Sequence, residues 1–164
     1  MIQTTPSLGF SDAINASTSR IFQFKGRSRR SEFWWTQLLV FIVSCVLTPF
    51  VGSILELLMI PLTFRRLHDT GHSGWWWGAC ALLKLVFIVY ICFDIVNVII
   101  HEGDCITHGN DIEFMIFFLF KYIVFAIAIA ICQIVLLIFC CLDSDQNTNK
   151  YGASPKYVEL ANNI

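Results

Sequence analysis

Two sets of polar residues in this 164-residue chain have the types and spacing for chemistry. The first lies in three short segments: Gly26-Arg27-Ser28-Arg29-Arg30-Ser31-Glu32-Phe33-Trp34-Trp35, then Arg65 to Trp77, then Asp143 to Pro155. Guanidinium groups bind phosphate and carboxylate bidentately, which makes Arg29, Arg30, Arg65 and Arg66 candidate anion ligands. Ser73 and Gly74 stand just before an apolar helix, whose start offers free N–H donors. Glu32 and Asp69 could orient the arginines, and His68 and His72 would add pH-sensitive donors. Tyr151 could pack under a guanidinium. Together these groups suit an anionic phospholipid headgroup or a partner's phosphate or carboxylate. They also read as membrane anchors with their counter-ions around a glycine turn. His68 and Asp69 are neighbours in sequence, which alone does not set an imidazole against a carboxylate. No GxSxG, Walker loop or HExxH occurs, so neither a catalytic residue nor a cofactor is expected.

The second set is stranded in apolar sequence. Ser44 is nine residues after Trp35, Glu56 nine before Arg65, Lys84 nine after Trp75 and Gln133 nine before Leu142. In helices each would lie about 13–14 Å deep. Glu56 and Lys84 could neutralise each other there, with Ser44 and Gln133 as hydrogen-bonding neighbours. Such a layer serves either as glue fixing helix register or as the path of a small oligomeric transporter or channel subunit. Nearer the opposite face, Asp94 and Lys121 fall at similar depth and could pair. His101, Asp104, Cys105 and His108 have a spacing that could gather a metal, although an acidic, water-exposed loop accounts for them better. No metal is assigned.

The elements that must hold these residues are membrane helices. Hydrophobic residues make up 56% of the chain and charged ones 14%, against about 25% charged in a soluble domain. Mean hydropathy is +0.66. Disorder, nucleic-acid binding and a secreted disulfide scaffold all fit poorly. Of the seven cysteines, all but Cys105 fall in apolar runs without a CxxC, as small apolar packers would. No signal peptide is read in the first thirty residues.

Three apolar blocks run from Phe33 to Phe64, Trp75 to about Ile100 and Phe114 to Leu142. As one helix the first block would be about 48 Å long, far beyond a hydrocarbon core of about 30 Å. Split at Thr48-Pro49 and Gly52-Ser53, it gives two short helices. Charge supports the split, because Arg20 to Arg30 precede the block, Arg65 and Arg66 follow it, and two crossings keep both clusters in the cytoplasm. The expected fold is an all-α polytopic bundle of four transmembrane helices, at about 33–49, 52–65, 75–96 and 114–142. Residues 1–32 form a cytoplasmic segment, 33–142 the membrane domain and 143–164 a cytoplasmic tail. Phe10, Ile14 and Ile21 allow a short interfacial helix before the first span. Nine of the eleven Lys and Arg then lie inside, and the outer loop is acidic. Membrane lipids are the expected partners, with a homo-oligomer open and nucleic acid excluded.

The three polar segments resemble the bacterial membrane family catalogued as domain of unknown function 805. Its pattern is GRxxRxEFW, then RRLHDxGxSGWW, then NxYGxxP, and all three blocks occur here in order. RRLHDTGHSGWWW is the most specific of them, and the resemblance covers roughly residues 10 to 157. It implies a small multi-helix protein of the bacterial inner membrane and brings no established activity. The stretch between EFW and RRLHD is shorter than the pattern leads one to expect, and His101 to Asp111 has no counterpart in it.

Overall fold

The structure, a computed structural model, describes residues 2–47, 49–105 and 111–159. In chain order it holds strand β1 (Ile2–Thr4), helices α1 (Phe10–Thr18), α2 (Arg30–Val46), α3 (Pro49–Leu58), α4 (Ile60–Asp69), α5 (Trp75–Cys105) and α6 (Asp111–Cys141), and strand β2 (Tyr157–Glu159). Residues 1–77 with 137–164 form one compact unit and 78–136 a second.

In the first unit, β1 and β2 pair antiparallel, Gln3 against Val158, which brings the two ends of the chain side by side. α1 packs on α2, burying Ala13 and Ser17, and the Phe10 and Trp35 rings meet edge to face at 5.8 Å. α2 and α3 approach closely where Gly52 faces Ser44. A Cβ on Gly52 would lie 3.0 Å from the Ser44 hydroxyl, which is turned onto its own helix and donates to the Val40 carbonyl at 2.7 Å. Phe33, Val40, Met59, Leu62 and Cys140 form the buried apolar cluster.

The helix expected over 52–65 is two helices. Proline has no N–H and disfavours helix interiors but suits the first turn, so Pro61 closes α3 and opens α4. At 17 and 10 residues, α2 and α3 are about 25 Å and 15 Å long, both short of the bilayer core. Among the described residues two helices have the length and composition to cross a membrane, Trp75–Asn97 and Leu119–Cys141, and α2 and α3 form a shorter hairpin.

In the second unit α5 and α6 run antiparallel. Cys80 faces Cys132, and the Phe87 and Phe125 rings stack at 5.4 Å. The two cysteines, expected as apolar packers, are joined in a disulfide because this register sets their Cα atoms 5.9 Å apart. Cys45, Cys92, Cys140 and Cys141 are free.

Candidate functional site

The three polar segments meet in the first unit through the geometry of α4. Consecutive helical side chains point about 100° apart, so Arg65 and Arg66 reach in different directions. Arg65 turns to the segment before α2. It donates to the Ser28 hydroxyl at 3.0 Å, to Glu32 at 3.3 Å, to the Gln23 carbonyl at 3.0 Å and to the Arg20 carbonyl. Arg66 turns to the end of α6, where it donates to the carbonyls of Cys140, at 3.1 Å, and Leu142. One turn on, Asp69 accepts from Arg66 at 2.6 Å, from Arg27 at 2.9 Å and from the Ser144 hydroxyl at 2.5 Å.

Arg27 fastens the tail. Besides Asp69 it donates to the carbonyls of Asp145 at 2.6 Å, Asn147 at 2.8 Å and Gly152 at 3.2 Å. Tight turns let the three segments close up: Gly26, Gly71 and Gly152, one in each, all have positive φ (97°, 77° and 126°), a region that side chains with a Cβ rarely adopt. Gly74 serves packing instead, since a Cβ there would overlap the Phe64 ring.

Arg65, Arg66 and Asp69 are fully buried, and Arg27 and Glu32 nearly so. Burying charge is costly unless it is paired and hydrogen-bonded. Three buried guanidiniums face two buried carboxylates, half-buried Arg20 joins them at Glu32, and backbone carbonyls with the Ser28 hydroxyl take the remaining donors. Those of Cys140 and Leu142 stand at the C-terminus of α6, where unpaired carbonyls carry partial negative charge. Burial still pulls the Arg65 and Arg66 pKa values down, against the raising influence of Glu32 and Asp69.

The other expected ligands are also engaged. Arg29 donates to Thr5 and to the Pro6 carbonyl. Arg20 reaches Glu32 at 2.9 Å. His68 stacks flat on Tyr151, centroids 3.7 Å apart, with Nδ1 3.2 Å from the Gly26 carbonyl. Burial lowers the His68 pKa, the Gly26 bond opposes that, and Lys150 adds to it. Tyr151 thus packs under an imidazole rather than under the arginines. His72 stacks on Phe139 at 3.9 Å and meets the Thr70 hydroxyl. Ser73 accepts from the Trp75 N–H at 3.4 Å. Only Arg30, of the four arginines first considered, is exposed, and among the described residues neither it nor exposed Lys25 has a hydrogen bond or ion pair. Sequence reasoning passed over Arg27, Ser28 and Ser144, although Arg27 follows the turn glycine Gly26 and Ser144 follows the last apolar block.

The apolar set is divided between the units. Ser44 and Glu56 lie in the first, Lys84 and Gln133 in the second, and both Glu56 and Lys84 are exposed. Counting from the Cys80–Cys132 pair puts Lys84 across from Ala128 and Gln133 across from Ala79. Those two residues therefore lie at different levels of the α5–α6 hairpin. The pairing of Asp94 with Lys121 is present at 2.7 Å, with the Tyr122 hydroxyl on the same carboxylate at 2.8 Å and the Tyr90 ring 5.0 Å from the ammonium. The side chains of His101, Asp104 and Cys105, and all of His108, lie outside the described residues.

Over residues 21–59 and 45–153 the chain matches the family described as protein of unknown function, DUF805. The chain belongs to the DUF805 family. The matched residues take in the first two polar segments and nearly all of the third, so the DUF805 pattern coincides with the arginine clasp. This DUF805 protein is 33% identical to inner membrane protein YhaH of Escherichia coli strain K12, with 45% of this chain and 74% of YhaH covered. It is 32% identical to inner membrane protein YhaI of the same strain, with 56% and 86% covered. No solved structure matches it.

Proposed function

We propose that this DUF805 protein is a non-enzymatic, multi-pass protein of the bacterial inner membrane whose clasp builds a cytoplasmic cap, and that Lys25 and Arg30 on that cap retain anionic phospholipid. The burial of Arg27, Arg65 and Arg66 among internal acceptors carries this reading, because Lys25 and Arg30 are left as exposed cations with no side-chain hydrogen bond or ion pair among the described residues, Arg30 standing near enough to Asp143 to lower its pKa. Both histidines of the motif are stacked on aromatic rings and both Asp69 oxygens are engaged, which argues against an acid–base pair poised for catalysis.

The cytoplasmic placement of both termini rests on nine basic residues in the first unit and on the paired terminal strands. The Arg65 bonds to Ser28 and Glu32 hold the end of α4 beside the start of α2. The α2–α3 hairpin therefore returns to the side it left. Beyond Thr36 α2 has ten more residues, about 15 Å or half the core, which makes the hairpin re-entrant. Stepwise delipidation followed by native mass spectrometry tests the lipid reading. Wild type should hold an anionic phospholipid that Lys25→Ala/Arg30→Ala releases, and equal retention in both would refute it.

A further inference from the structure

We infer that the turn between α1 and α2, residues 19–25, is a membrane wedge that sets Phe22 and Phe24 into the headgroup and acyl boundary of the inner leaflet. Phe22 is 78% exposed and Phe24 46%. A frayed loop could show the same exposure, but this turn is fixed from below. Buried Arg65 holds the carbonyls of Arg20 and Gln23, Gln23 donates back to Arg20 at 3.0 Å, and His68 holds Gly26. The fold thus imposes the presentation of Phe22.

The position of the turn identifies what covers it. Phe24 meets Phe64 edge to face at 5.3 Å, Phe64 lies against Gly74, and its ring is 5.9 Å from Trp77. Trp75 to Trp77 open the spanning stretch Trp75–Asn97, so the turn stands at the level where that helix enters lipid. Trp75 is itself 80% exposed. Aromatic rings at an interface beside a basic residue, here exposed Lys25, are the composition of segments that lie in the plane of a membrane surface. A water-facing turn of this composition would expose two phenylalanines for no gain in solvation. A lipid surface gives both rings and the Lys25 ammonium a favourable place.

This inference rests on the membrane reading and does not need a retained headgroup. In nanodiscs, a nitroxide on Phe22→Cys, with Cys45, Cys92, Cys105, Cys140 and Cys141 replaced by alanine, should collide with oxygen in preference to a water-soluble nickel chelate. Its depth should be about 5–10 Å below the phosphates. The same label at Gln146 should show the aqueous pattern. Benzoylphenylalanine at position 22 of the otherwise native chain should give a phospholipid adduct on illumination. Nickel accessibility at residue 22 equal to that at Gln146, with no lipid adduct, would overturn the wedge. Lipid retention by the Lys25 and Arg30 pair would then still stand or fall by its own measurement.

Discussion

Replacing Asp69 with asparagine removes one charge from the centre of the clasp while keeping its shape. In the wild type the carboxylate accepts from Arg27, Arg66 and Ser144, and all four side chains are buried. The asparagine could still accept, but through one oxygen, and its amide would point hydrogen toward a guanidinium. Breaking a buried ion pair from one side costs about 3–5 kcal/mol because the partner charge stays buried. Two arginines are orphaned here, so the upper part of that range is expected. Arg27, before α2, holds the Asp145 carbonyl and Arg66, on α4, holds the Leu142 carbonyl, both just beyond α6, and the loss should therefore appear first as opening of the tail. About 3–5 kcal/mol corresponds to an opening equilibrium raised roughly 10²–10³-fold or more. Hydrogen exchange read by mass spectrometry should show that acceleration at the amides of Asp145, which bonds the Asp69 carbonyl, and of Asn149 and Gly152, which bond each other. Arg30→Ala is the control and should stay within about 0.5 kcal/mol of wild type. Tail exchange in Asp69→Asn within threefold of wild type would refute the buried-charge reasoning.

Gly74→Ala should cost about 1–3 kcal/mol by forcing the Phe64 ring aside, and Phe64→Leu should recover part of that in thermal unfolding. The folded-state pKa of His68 lies below its unfolded value, so the unfolded chain takes up the proton more readily. Its contribution is complete above about pH 6.5 and falls away as pH drops toward the folded value. Unfolding midpoints followed from pH 7.5 to 5 should decline, and less steeply in His68→Gln. Iodoacetamide on the denatured, unreduced chain should label Cys45, Cys92, Cys140 and Cys141, and reach Cys80 and Cys132 only after reduction.

The apolar blocks, the polar segments and the pairing of Asp94 with Lys121 could be read from sequence because each follows from composition or helical spacing. The break at Met59 depended on Pro61 inside an otherwise apolar run, and hydropathy alone carried the expected helix through it. The fate of the arginines was hidden for another reason. Arg27 and Asp69 are 42 residues apart and Arg66 and Leu142 are 76 apart, and no local pattern reveals that one arginine ends on a carboxylate and the other on a helix terminus. The expected level of Gln133 counted from Leu142 as the inner end of the last span, whereas the Cys80–Cys132 register places it across from Ala79 and Lys84 across from Ala128. The charge rule needs only an even number of crossings, so the depth of the α2–α3 hairpin, with helices about 25 Å and 15 Å long, was not legible from charge.

The internal state of the motif arginines can be measured directly with phenylglyoxal on the native protein in nanodiscs, each modified arginine being located by peptide mass spectrometry. Arg30 should react at the rate of an exposed side chain, while Arg27, Arg65 and Arg66 stay unmodified until the protein is denatured. Modification of Arg65 and Arg66 as fast as Arg30 would mean an open anion site where the structure shows a closed clasp, and would contradict the account at its centre.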